Sequence, residues 1–189
     1  MAQTFNNKSL DSFGEQVLIG ACLGGSSIIK SKKGLNYHLA MKSPNPKWLT
    51  YKIQSMRPLF KDELLLVEGK SFRCFSYACQ YVTKMHEMLY SNGCRTIRES
   101  LLDSLRDVAL ATWCVEGGGR CGSNKKNFYL TMTRFSMKDA IFTMHYFNNI
   151  YEIPCIIKDY GAYRRLQFTV YGTDKLFELV SPHIPEFIE

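Results

Sequence analysis

The chain has 189 residues, 46% apolar and 22% charged, which is enough for one ordinary domain or two fused small repeats and excludes intrinsic disorder. Its 24 Lys/Arg exceed its 17 Asp/Glu by seven, and the whole excess lies in residues 1–99, with 14 basic and 7 acidic side chains, while residues 100–189 hold ten of each. No apolar run approaches the roughly 20 residues of a membrane span, so no membrane partner is expected, and the basic half suggests an anionic one, most simply nucleic acid, against a plain solubilising surface.

Taken in chain order, Ser12-Phe13-Gly14-Glu15 reads as a Ser-x-x-Glu capping box before the apolar stretch Val17–Leu23, which closes on Gly24-Gly25. Lys30, Lys32 and Lys33 mark a hairpin tip before the strand Leu35–Lys42. Ser43 precedes a helical pattern over Lys47–Leu59. Gly69 turns a hairpin between Leu64–Val67 and Phe72–Tyr77, and Gln80–Tyr90 is helical.

The same order returns about 92 residues later. Ser104-Leu105-Arg106-Asp107 stands before the apolar stretch Val108–Val115, which closes on Gly117-Gly118-Gly119. Lys125 and Lys126 take the hairpin-tip place before the strand Asn127–Arg134. Ser136 precedes the helical pattern Met137–Tyr151. Gly161 turns Cys155–Lys158 into Arg164–Tyr171, and Thr173–Val180 closes the chain's second half. The reading is an α+β fold of two fused repeats, 1–99 and 100–189. Each runs helix, hairpin, helix, hairpin, helix. The two apolar helices pack against each other across a pseudo-twofold axis, with Gly20, Ala21, Ala109 and Ala111 allowing close approach.

Alternation assigns the strand faces. Phe128, Leu130 and Met132 oppose Asn127, Tyr129, Thr131 and Thr133. Leu166, Phe168 and Val170 oppose Arg165, Gln167 and Thr169. Tyr37, Leu39 and Met41 oppose Asn36, His38 and Lys42. A half-wet antiparallel sheet explains this pattern by itself. The wet faces, however, are rich in Asn, Gln, Arg, Thr and His, the side chains that read base edges in a major groove. Asn36, His38, Arg73, Arg165 and Gln167 are the base-edge candidates, with Lys42, Asn127, Tyr129, Thr131 and Thr169 beside them. Lys30, Lys32, Lys33, Lys125 and Lys126 are the phosphate candidates.

The seven cysteines show no C-x-x-C pair and no accompanying histidine pair. They read as reduced thiols, which implies an intracellular reducing compartment (cytoplasm, nucleus or organelle matrix), and Met1–Leu10 carries no secretory pattern. The triple glycine lacks the Gly-Lys-Ser/Thr ending of a nucleotide cradle and follows a helix.

Leu18-Ile19-Gly20-Ala21-Cys22-Leu23-Gly24-Gly25 and Leu110-Ala111-Thr112-Trp113-Cys114-Val115-Glu116-Gly117-Gly118 resemble the two motifs of the LAGLIDADG homing endonucleases in their single-chain form. The resemblance implies two αββαββα repeats forming a pseudo-dimer within one chain, hence a monomer, with saddle-shaped sheets over double-stranded DNA. In active members each motif helix ends in an acid, and the two carboxylates bind Mg²⁺ over the scissile phosphates. Here the matching positions are Gly25 and Gly117, which offer no ligand. Glu116 serves only if the register slips by one residue. Arg95 matches a basic position of the first half. The resemblance therefore implies a sequence-specific DNA-binding protein that does not cleave. The alternatives are a Mg²⁺-dependent endonuclease using Glu116 and, third, an intron RNA maturase stacking bases on Tyr37, Phe75, Tyr77 or Tyr129.

Overall fold

A computed structural model describes residues 9–32, 34–60, 66–122 and 124–188. The first repeat runs α1 (Ser12–Gly24), β1 (Ser27–Lys30), β2 (Tyr37–Ser43), α2 (Pro46–Ser55), β3 (Leu66–Glu68), β4 (Ser71–Phe75) and α3 (Gln80–Leu89). A small hairpin, β5 (Tyr90–Ser91) and β6 (Cys94–Arg95), and the short α4 (Glu99–Asp103) lead to the second. That one runs α5 (Asp107–Gly117), β7 (Gly118–Cys121), β8 (Asn127–Thr131), α6 (Met137–Asn149), β9 (Cys155–Asp159), β10 (Arg164–Phe168) and α7 (Val170–Val180). The strand orders are β1-β2-β4-β3 and β7-β8-β10-β9, antiparallel throughout, so the two repeats have one topology. The expected α+β pseudo-dimer is the observed fold.

Each sheet turns one face to the core. Ile28, Leu39, Met41 and Cys74 are buried in the first sheet, and Phe128, Leu130, Leu166 and Phe168 in the second. Between the sheets lie α1 and α5, apolar on nearly every side. Val17, Leu18, Ile19, Ala21 and Leu23 are buried on one helix, and Ala109, Leu110, Ala111 and Trp113 on the other. Such helices need partners all round, and they find them in each other, in α2, α7 and in the sheets.

The α1–α5 contact is backbone-close, as the sequence suggests. A methyl group on Gly20 would overlap the carbonyl oxygen of Ala109 and lie 2.7 Å from Thr112 Cβ. One on Gly24 would overlap Glu116 Cβ. At the far end Gln16 clasps the second repeat: its Nε2 donates to Ser104 O at 3.0 Å, and its Oε1 accepts from Arg106 N at 2.8 Å.

The helix ends differ from expectation. Asp11, not Ser12, caps α1, its Oδ1 accepting from Gly14 N at 2.7 Å. Ser104 caps nothing downstream. Its hydroxyl donates back to Leu101 O at 2.7 Å, and α5 starts only at Asp107 after Arg106, whose N–H is already taken by Gln16. The terminal glycines are not left-handed either, with φ of −113° at Gly25 and −103° at Gly118. Crowding, not backbone conformation, is what demands small residues there.

Other boundaries move too, the expected strand Asn127–Arg134 ending already at Thr131. The Lys47–Leu59 pattern splits into α2, capped by Asn45 in place of Ser43, and a 3₁₀ turn at Arg57–Leu59, because Pro58 cannot continue an α-helix. The expected strand Arg164–Tyr171 stops at Phe168. Thr169 then caps α7 by accepting from Gly172 N at 3.0 Å, so Thr169 leaves the sheet face assigned to it, and Val170 and Tyr171 are helical. Residues 64 and 65 of the expected third strand lie outside the described residues. The β5–β6 hairpin was not foreseen, although Asn92-Gly93, with φ of 50° and 76°, is the sequence signal for so tight a turn.

The close approach yields a stability test. Gly20→Ala forces α1 and α5 apart and is expected to cost about 1–3 kcal/mol, read as a lower midpoint in thermal or urea unfolding. Gly34→Ala, whose added methyl would meet no atom nearer than 3.7 Å, is expected to leave the midpoint in place.

Candidate nucleic-acid interface

The exposed sheet faces follow from the register. In the first sheet Ser27 pairs with Ala40 and Ile29 with His38. Ala40 pairs with Phe75, Lys42 with Arg73, and Arg73 with Leu66 across β4, so these side chains share the face away from the core. In the second sheet Tyr129 and Thr131 on β8, Arg165 and Gln167 on β10, and Lys158 on β9 share the equivalent face. Arg73 and Arg165 occupy the same place in the two repeats.

Several predicted side chains are therefore gathered, and others are diverted. His38 lies edge-on to Phe75 at 5.6 Å, and partial burial lowers its imidazole below the ordinary pKa. Asn36 sits off the end of β2, and its Oδ1 accepts from Thr83 Oγ1 of α3 at 3.3 Å, on the helix side of the sheet. Asn127 is tied into its own sheet, donating to Phe168 O at 2.8 Å. Lys30 pairs with Tyr37 and so shares the alternation of buried Ile28, at the strand's end. Lys32, Lys125 and Lys126 are exposed in turns, as tip residues should be, and Lys33 lies outside the described residues. Of the aromatics, Tyr37 is stacked on His86 at 4.0 Å, and His86 on Tyr90 at 4.5 Å, so Tyr37 is occupied away from the polar face.

The ends of the two motif helices meet midway between the sheets. A recess of about 190 Å³ there is lined by Gly24, Gly25, Glu116, Gly117, Thr131 and Arg134, among others. Gly25 and Gly117 do stand at the helix ends, with no side chain to offer. Glu116 points across the repeat boundary. Its Oε1 accepts from Trp48 Nε1 at 2.6 Å and from Lys52 Nζ, both on α2 of the first repeat. The ion pair is dry, with the lysine side chain 0% and the glutamate side chain 4% exposed. A buried carboxylate and a buried ammonium each pay a large desolvation cost, and here each meets the opposite charge. The second carboxylate oxygen, Oε2, would lie 2.7 Å from a Cβ on Gly25.

Arginines close the recess. Arg95, matched in sequence to a basic position of the first half, is engaged here with the backbone beside it. Its guanidinium donates to Cys22 O and Ser26 O, and to Ser27 Oγ at 3.0 Å, clamping the end of α1 to the start of β1. Arg134, beyond β8, donates to Gly25 O at 3.0 Å and so bridges the repeats. Partial burial and the neighbouring Arg95 lower its pKa. Below them Cys22 has its thiol pushed up to about 12, chiefly by burial, with Arg95 and Lys52 opposing and Glu116 adding to the shift.

This donor set does not fit a Mg²⁺ ion. A hard dication wants several carboxylate oxygens, and among the described residues Glu116 is the sole carboxylate lining the recess. One of its oxygens is taken by an ammonium and an indole N–H. Among the described residues no cluster of three or more His, Cys, Asp or Glu side chains could hold a metal. Trp48, Lys52 and Arg134 were not singled out from the sequence. A tryptophan and a lysine four apart on one helix face were the only available hint, and nothing local names their partner.

Removing the ammonium alone should be costly. Lys52→Met leaves Glu116 buried without its cation, with an expected loss of about 3–5 kcal/mol. Adding Glu116→Gln to it should recover most of that loss, both read by urea denaturation.

No curated protein matches the chain by sequence. Among solved structures it is similar to the homing endonuclease I-WcaI bound to its DNA recognition sequence, with a TM-score of 0.86, 19% identity, and coverage of 95% of this chain and 85% of that one. A mesophilic variant of the homing endonuclease I-DmoI matches with a TM-score of 0.60 and 14% identity, over 94% of this chain and 95% of that one. Full-length DUF199/WhiA from Thermatoga maritima matches with a TM-score of 0.61 and 12% identity, over 94% of this chain and 57% of that one. Identities this low speak to the fold alone. The sequence pattern of the LAGLIDADG DNA endonuclease family, in contrast, matches residues 15–176 directly, and the chain belongs to that family.

Proposed function

We propose that the protein recognises a long double-stranded DNA site with the two exposed sheet faces and does not cut both strands. The DNA reading is supported by family membership, by the basic first half, and by neighbours solved on DNA, I-WcaI and I-DmoI among them. The two sheets repeat one topology, so the site should be roughly pseudo-palindromic. Both halves come from one chain, so the protein binds as a monomer.

One observation carries the loss of cleavage: the Glu116 carboxylate is held by Lys52 and Trp48 while Gly25 and Gly117 offer nothing. Double-strand cleavage needs a charge-stabilising, water-activating centre at each of two phosphates. One carboxylate already neutralised by a buried lysine supplies neither. Use of Glu116 as a Mg²⁺ ligand would require breaking a dry ion pair, so the endonuclease reading ranks second. RNA binding ranks third, since Tyr37, one of the four aromatics considered for stacking, is committed to His86.

The test is a selection on a randomised duplex library, once with Mg²⁺ and once with EDTA, scoring retained and cut molecules. One long site enriched equally under both conditions, with no cut product, is expected. Cut or nicked duplex appearing with Mg²⁺ and vanishing in Glu116→Gln would establish the endonuclease reading in its place. No duplex enrichment at all would overturn DNA recognition.

A further inference from the structure

Arg165 is held in a cage. Its guanidinium lies over the Tyr129 ring at 4.8 Å and over the Tyr160 ring at 4.9 Å, and its Nη2 donates to Tyr160 Oη at 2.7 Å. Tyr160 is in turn stacked on Tyr163 at 4.7 Å. The four side chains form one stack beside the β9–β10 turn. Tyr160 and Tyr163 are about half exposed, at 47% and 48%, so the stack is an outer feature of the sheet and not part of the core. The Nε of Arg165 is buried and meets no acceptor.

Counting donors shows what the cage leaves available. A guanidinium has five N–H bonds. The Nε hydrogen is shut inside and one Nη2 hydrogen goes to Tyr160. One hydrogen on Nη2 and two on Nη1 remain, all at the tip of the side chain. A planar pair of donors at that tip matches the two acceptors, O6 and N7, that guanine alone presents side by side in the major groove. A lysine or a mobile arginine could meet a phosphate equally well. A guanidinium clamped between rings gives up that latitude and keeps one approach, and little rotamer freedom is left to lose on binding.

The other repeat also sets an arginine on an aromatic ring. Arg73 holds the place of Arg165 in the strand order and lies over the Phe75 ring at 4.7 Å. Its cross-strand neighbours are Lys42 and Leu66, where Arg165 has Thr131 and Lys158. Building on the DNA reading above, we propose that Arg165 and Arg73 are paired guanine readers, placed to contact bases at equal distances from the centre of the site on opposite strands. Tyr160 is the positioning residue that fixes the Arg165 guanidinium end-on.

The test uses the selected duplex site and its single-base variants, measured by equilibrium binding for the unaltered protein and three variants. The unaltered protein should show guanine at two symmetry-related positions, on opposite strands. Arg165→Lys keeps the charge and should lose about 10- to 100-fold of the guanine preference at one of them, leaving affinity for an unrelated duplex unchanged. Arg73→Lys should do the same at the other position. Tyr160→Phe keeps the ring and loses the hydroxyl. It should relax the preference at the Arg165 position alone, with no change in thermal midpoint, which a merely structural tyrosine would not do. If the unaltered protein selects a site but Arg165→Lys leaves every base preference intact, or spreads its loss evenly over all positions as a phosphate contact would, the proposal is wrong while DNA recognition stands. If no site is selected, it is the underlying reading that fails.

Discussion

The contact between α1 and α5 sets everything else. Residues that match under the 92-residue repeat sit against each other in it: Gly20 against Thr112, and Gly24 against Glu116. They recur every four residues, the spacing that keeps one helix face aligned. At each level one repeat supplies glycine and the other a larger side chain, so the seam is closed by complementary shapes although the topology is symmetric. The seam fixes how far apart the sheets stand and brings the ends of both motif helices into one small recess.

What happens in that recess is an electrostatic choice. A lone glutamate at a dry junction must find a cation, and here the chain provides its own. Trp48 and Lys52 lie one turn apart on α2, so indole N–H and ammonium reach the same carboxylate oxygen from one helix face. The buried ammonium and the buried carboxylate offset each other's charge where the repeats join. The centre thereby serves as a strut between repeats, joined there by the Arg134 link to the Gly25 carbonyl.

Much of the fold was legible because it is written in periodicity. Alternation along β2, β8 and β10 placed Leu39, Leu130 and Leu166 inward and Lys42, Thr131 and Arg165 outward, and pleat geometry leaves a strand no other option. The repeat was legible because equal topology spaces its glycines and turns equally. Cap identity was harder: Asp11 and Ser12 are both good caps, and only the backbone decides between them. Thr169 misled for a similar reason, since Phe168-Thr169-Val170 alternates like a strand while Thr169 is also a helix cap. The ion pair was out of reach. Lys52 is 64 residues from Glu116 and looks like any solvated helix lysine until the fold closes over it.

The strut is one-sided, although the topology around it is symmetric. Aligning the caps Asn45 and Ser136 puts Thr143 where Lys52 stands and Asp139 where Trp48 stands. A homodimer of the second half would bring two glutamates together with threonines for company. A homodimer of the first half would bury two lysines against two glycines. Within this alignment each half lacks the group that the other supplies, Glu116 for Lys52, so the strut is a lock that closes only between unlike halves.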